Sequence, residues 1–178
     1  VSVLPHGDLD AFEAELRAHA RPGRRLLVAV DGVYSMDGDL APLRELVPLA
    51  RRWGAMVLLD DAHGTGTLGP LGRGTAELCE VAREVDVCTG TLGKALGSFG
   101  AFVAGSGALR ELLVNVARSF IFTCALPPPQ VAAARAALRI AQAEPWRRTR
   151  LQALAARLRE RLALHGISTA PSRTQIVP

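Results

Sequence analysis

Of the 21 Lys+Arg residues in this 178-residue chain, one is a lysine, Lys94, and it sits in the glycine-rich stretch Thr89–Gly97. An arginine holds an anion but stays protonated, whereas a lysine can lose its proton and attack a carbonyl. Lys94 is therefore a candidate Schiff-base lysine. An arginine-biased composition that kept one lysine by chance accounts for the count equally well, so the neighbouring chemistry has to decide. Two further candidates share one short segment, Asp60 and His63. A carboxylate at the end of an apolar strand is commonly a cap or a loop acceptor. It can also face a cationic group, and partial burial strengthens such a pair. Asp61 is the structural member of the acidic pair, since alternation along a strand turns it to the other side. Thr91, three residues before Lys94, carries a hydroxyl able to satisfy a backbone group or a phosphate.

The elements that must position these residues follow from periodicity. Asp8 to His19 reads as an amphipathic helix, Pro42 to Arg52 as a second, and Thr75 to Glu84 as a short third. Leu26 to Val30, Met56 to Leu59 and Val85 to Thr91 are apolar runs without polar alternation, the pattern of strands buried on both faces. Alternating strands and helices imply a mostly parallel sheet with right-handed crossovers. Ligands of such sheets bind at the carboxyl ends of the strands, which would gather Ser35, Asp60, His63, Thr91 and Lys94 on one rim. Farther on, the pattern predicts a strand over Gly100–Ala104, a helix over Leu109–Arg118 and another strand over Phe120–Thr123. A helical stretch from Val131 to His165 should kink or break at Pro145.

Composition narrows the function classes. The chain is 49% hydrophobic and carries a net charge of +4, with its arginines in small groups and few aromatic residues. That offers no stacking platform for nucleic acid. Three cysteines without CxxC spacing argue against a zinc site or a disulfide framework and point to a reducing, cytoplasmic setting. No apolar run approaches the ~18 residues of a membrane helix, so no membrane partner is expected. Both ends look cut, and a longer parent polypeptide is expected.

Leu58 to His63 superficially matches the acidic box of nucleotide-driven helicases, with Gly90–Lys94 as a phosphate loop. The mechanics fail: two residues rather than four separate the glycines, Ala95 follows the lysine, and the order of the two motifs is reversed. A different set of motifs agrees in order and spacing. DGVYSMDGDLAPL (residues 31–43), LDDAHGTG (59–66) with Gly69 and the GRG of 72–74, and TLGKALG (91–97) resemble the α-oxoamine synthases, a family of pyridoxal-phosphate enzymes. The similarity runs from about Asp8 to about Trp146.

The resemblance implies an α/β fold: the three-layer, mostly parallel sheet of the aspartate-aminotransferase (fold type I) large domain. Residues 1–144 would belong to that cofactor-binding domain, and 145–178 to a linking helix and the start of a small α+β domain. It implies pyridoxal 5'-phosphate as cofactor, held by Lys94 as a Schiff base, with Asp60 opposite the pyridine nitrogen. Ala62 would lie beneath the ring, and His63 would donate to its phenolic oxygen. Ser35 would contact the cofactor, Thr91 its phosphate region, and Thr123 a phosphate across a homodimer interface; Cys124 stands where relatives commonly have a hydroxyl or amide. The implied substrates are an amino acid, with alanine favoured and glycine or serine as alternatives, and an acyl-CoA or acyl-carrier-protein thioester. The resemblance also places a glycine-rich phosphate-binding turn and a ring-stacking histidine before these residues. A catalytically incompetent piece of such an enzyme is therefore the competing reading.

Overall fold

A computed structural model describes all 178 residues, Val1–Pro178. The chain runs α1 (Leu9–His19), β1 (Leu26–Asp31), α2 (Leu43–Arg52), β2 (Ala55–Asp60), α3 (Thr75–Leu78), β3 (Val87–Thr91), β4 (Ala101–Gly105), α4 (Gly107–Val116), α5 (Arg118–Ile121), α6 (Pro128–Ala143) and α7 (Trp146–Leu164). One four-stranded sheet has the order β1-β2-β3-β4. The first three strands are parallel and β4 is antiparallel to β3. The α/β class with a mostly parallel sheet thus stands as expected.

Burial on both faces does not. Val28, Val30, Val57 and Leu59 point into a core closed by Leu43, Leu46, Val47 and Ala50 of α2 and by Leu16 of α1. The alternate positions are open: Leu27 is 53% and Met56 41% exposed. The cause is topological. Each right-handed crossover from one strand to the next on the same side lays its helix on the same face, and only a reversal of strand order covers the other. Here the order advances in one direction, so the second apolar face of β1 and β2 stays bare within this chain.

Three elements differ from the sequence pattern. The Phe120–Thr123 segment is not a strand: Phe120 and Ile121 amides bond back to the Ala117 carbonyl, and that of Phe122 to Arg118, so α5 forms instead. Local bonding prevails over the β-propensity of the aromatic residues where no sheet edge pairs with them. The helix expected over Thr75–Glu84 stops at Leu78, and Glu80 takes a left-handed φ of 63°. β3 begins at Val87 rather than Val85; Asp86 is occupied by accepting from the Val57 amide and from Arg51. Pro145 separates α6 from α7 completely, as a residue without an amide hydrogen should.

The loop after β2 is closed on itself by Asp61 at its start, which is fully buried. Its carboxylate accepts from the Thr75 amide at 2.7 Å and the Thr75 hydroxyl at 2.8 Å. Backbone crowds round it so closely that side chains are excluded: a Cβ on Gly74 would lie 1.7 Å from Oδ2, and one on Gly64 2.1 Å from Oδ1. Burial pushes the Asp61 carboxyl up, its two Thr75 hydrogen bonds oppose that, and the charge of Asp60 adds to it.

Asp61→Ala should strand both Thr75 donors and cost about 3 kcal/mol of unfolding free energy, measured by urea denaturation. Because the folded-state pKa of Asp61 lies above its usual 3.8, folding retains a proton that the unfolded chain has released. Wild type should therefore lose stability relative to Asp61→Asn as pH rises from 3.8 through that raised value.

Candidate active site

Each parallel strand delivers its functional group at its carboxyl end. Asp31 closes β1 and Asp60 closes β2, and the two are register partners; Asp60 is in turn the partner of Thr89 in β3. Register partners in a parallel sheet point to the same face. Asp31, Asp60 and Thr89 therefore form one row across the open face, at the end where β2 and β3 release their loops.

His63 follows β2 by three residues and Lys94 follows β3 by three. Their side chains meet: Lys94 Nζ lies 2.7 Å from His63 Nε2. The local sequence explains the arrangement. The Asp60 carboxylate Oδ1 accepts the Ala62 amide at 2.9 Å, which turns the chain off the strand, and the Asp61 carbonyl accepts from Gly64 and Thr65. The lysine turn is closed by the Leu92 amide bonding to the Gly100 carbonyl and that of Ser98 to Leu92. Thr91 Oγ1 accepts from the Gly93 amide at 3.1 Å and donates to the Gly100 carbonyl at 3.2 Å, so this hydroxyl shapes the lysine turn.

The electrostatics are those of a small mixed-charge cluster. Desolvation lowers the His63 pKa below its usual 6.5 and the Lys94 ammonium lowers it further, while Asp31 and Asp60 pull it up. The Asp31 carboxyl is raised by desolvation first and by Asp60 second, with His63 and Lys94 opposing. A neutral imidazole beside Lys94 can accept from the ammonium or donate to the neutral amine, which is the flexibility a proton-exchanging pair requires.

Asp60, Ala62, His63, Thr91 and Lys94 come together here. Ser35 lies in the exposed turn after β1, closed by the Gly38 amide on the Tyr34 carbonyl, and makes no hydrogen bond to the cluster. Thr123 is exposed beyond α5 and also makes none. Asp31 joins the site although the sequence pattern ends the first strand at Val30 and the motif gives Asp31 no role. The signal was present: it ends the apolar run of β1 as Asp60 ends that of β2. A groove of about 1000 Å³ lies between residues 1–7, α1 and β1, and reaches Asp31, Tyr34, Leu58 and Asp60. Lys94 and His63 do not line it.

The donor set fits pyridoxal phosphate. One Asp60 oxygen takes the Ala62 amide and the other takes no protein donor, leaving an anion for a ring N–H. Beside it the Thr89 hydroxyl is buried without a partner. An amine and an imidazole stand at the neighbouring loops, the groups that an aldehyde and a phenolic oxygen would call for.

The fold is that of the fold type I large domain. The sequence matches the family model of aminotransferase class I and II over residues 2–178, and the chain belongs to that family. Curated relatives are named more narrowly: an 8-amino-7-oxononanoate synthase of Geobacter sulfurreducens is 54% identical over 176 residues, which cover 98% of this chain and 45% of that protein. One of Anaeromyxobacter dehalogenans is 53% identical over 173 residues, covering 97% and 43%. Among solved structures, a serine palmitoyltransferase of Sphingomonas wittichii superposes with a TM-score of 0.89 at 34% identity, covering 94% of this chain and 42% of that one. An 8-amino-7-oxononanoate synthase of Francisella tularensis gives 0.78 at 27% identity, covering 97% and 49%. The chain thus spans somewhat under half the length of the relatives it matches.

Lys94→Met should raise the His63 titration midpoint, followed by histidine NMR, without restoring it to 6.5, because desolvation, the larger cause, remains.

Proposed function

We propose that this chain is the lysine-bearing half of a pyridoxal-phosphate acyltransferase that condenses L-alanine with a pimeloyl thioester, on CoA or acyl carrier protein, to 8-amino-7-oxononanoate in biotin biosynthesis. The observation that carries the reading is the contact of Lys94 with His63 beside Asp60, in a chain 54% identical to a protein of that name. When bound, the cofactor supplies an electron sink for a carbanion next to nitrogen.

The chain's own residues do the rest. Lys94 would hold the cofactor, and its free amine would take the Cα proton of the amino acid. Asp60 keeps the ring nitrogen protonated through its unoccupied carboxylate oxygen. His63 would hold the phenolic oxygen and Ala62 would support the ring. Thr91 would order the turn toward the phosphate, Ser35 would contact the cofactor, and Thr123 would reach a phosphate across a homodimer interface. In this reading residues 1–144 are part of the cofactor-binding large domain, and 145–178 link it to the small one. No helix is long and apolar enough to cross a membrane. The three free thiols fit the cytoplasm.

A serine- or glycine-using synthase is the second reading, favoured by the serine palmitoyltransferase likeness at a TM-score of 0.89. Because the chain covers 45% of its relative, an inactive piece is the third.

CoA release by the full polypeptide, assayed with alanine, glycine or serine against several acyl thioesters, separates these. Alanine with the pimeloyl thioester should turn over at least about tenfold faster than serine, by the free-energy scale on which one small pocket contact acts. Adding pyridoxal phosphate should produce a visible absorbance band that Lys94→Ala lacks; an unchanged band in that variant would remove Lys94 from its role.

A further inference from the structure

The segment after α7 returns to the site. Residues Thr169–Ile176 lie against the turn after β1 and the loop after β2, two places separated from them by more than a hundred residues of chain. Thr174 is fully buried, its hydroxyl donates to the Gly38 carbonyl at 2.8 Å, and the Arg173 amide bonds to the same oxygen at 3.0 Å. Gly38 is approached so closely that a Cβ there would lie 2.3 Å from the Ile176 carbonyl oxygen. Arg159 of α7 donates to the Thr174 carbonyl, so the strap is anchored at its origin as well.

Gln175 then reaches the second loop. Its Nε2 donates to the His63 carbonyl at 2.7 Å, across a separation of 112 residues. Its Oε1 is buried and has no partner, so this is the one hydrogen bond of the side chain. The His63 carbonyl also receives the Thr67 hydroxyl at 2.9 Å, a contact from within its own loop. Gln175 is therefore what joins the His63 peptide to the rest of the molecule from outside that loop.

We propose that Gln175 is a positioning residue of the site: its amide holds the His63 peptide so that the imidazole faces Lys94. The resemblance assigns residues 145–178 to a linking helix and the start of a small domain and gives Gln175 no role. Three groups face the His63 ring with charge: Lys94 from the loop after β3, Asp31 from β1 and Asp60 from β2. Release of the tether lets the loop relax outward, which hydrates the ring and separates it from Lys94. Both changes act on the imidazole in the same direction, because desolvation and Lys94 are the two influences that depress it.

The inference rests on the cofactor reading only for why His63 must face Lys94. Its test needs no cofactor and so stands or falls separately from the absorbance of Lys94→Ala. Histidine ring resonances of the isotope-labelled full polypeptide are followed from acid to neutral pH, with His63→Gln to identify the resonance. In Gln175→Met, which keeps the side-chain length but has no donor, the His63 midpoint should rise by about half a unit toward its ordinary value. Thr174→Val, which loosens the strap elsewhere, should leave it in place. An unchanged midpoint in folded Gln175→Met, or an equal rise in Thr174→Val, overturns the assignment. A measurement on the wild type requires no variant to fold: the side-chain amide hydrogens of Gln175 should exchange more slowly than those of exposed Gln142, and equal exchange rates also overturn it.

Discussion

The site depends on a buried carboxylate that performs no chemistry. Asp61 is enclosed by backbone from two loops, at Gly32 after β1 and at Gly64 and Gly74 after β2, and its two hydrogen bonds to Thr75 satisfy it there. A charge placed in such surroundings is costly unless every lone pair finds a donor. The glycines allow the donors to come near enough, and the result is that the loop after β2 has few places to go. His63, two residues later, starts from that restriction, and the Gln175 amide on its carbonyl completes the hold.

Asp60 and Asp61 show how one acidic pair serves two purposes. Successive residues of a strand face opposite ways. Asp61 turns into the loop core, where it is an anchor, and Asp60 remains on the open face, where one oxygen is still available. The same row contains Asp31 and the partnerless Thr89 hydroxyl. Desolvation first and the Asp60 carboxylate second raise the proton affinity of Asp31, and His63 and the Lys94 ammonium limit the effect. The rim is thus a place where a cationic ring N–H is welcome and where a neutral imidazole can sit next to an amine.

The bare face of the sheet and the strap from the C-terminal segment are two consequences of topology. A strand order that advances in one direction puts its crossover helices on one side, leaving Leu27 and Met56 uncovered on the other. The strap arrives from α7, whose buried Arg148 donates to the Pro70 and Ala141 carbonyls and so holds the helix against the glycine-rich loop. Through these contacts the last residues of the chain reach loops encoded near its beginning.

Much of this was readable from residue order. Buried strands separated by amphipathic helices specified a parallel α/β sheet, because apolar periodicity and crossover handedness are local and general. The lysine, Asp60 and His63 were legible as a set, because each follows an apolar run at the strand end where such sheets bind ligands. Other features depended on partners far away in sequence. The register that aligns Asp31 with Asp60 and Thr89, the helical turn at Phe120, the open face of β1 and the reach of Gln175 to His63 all arise from contacts that no local pattern records. Sequence alone determined which groups could do the chemistry; the tertiary structure decided which of them meet, since distance across a fold is set by topology rather than by spacing along the chain.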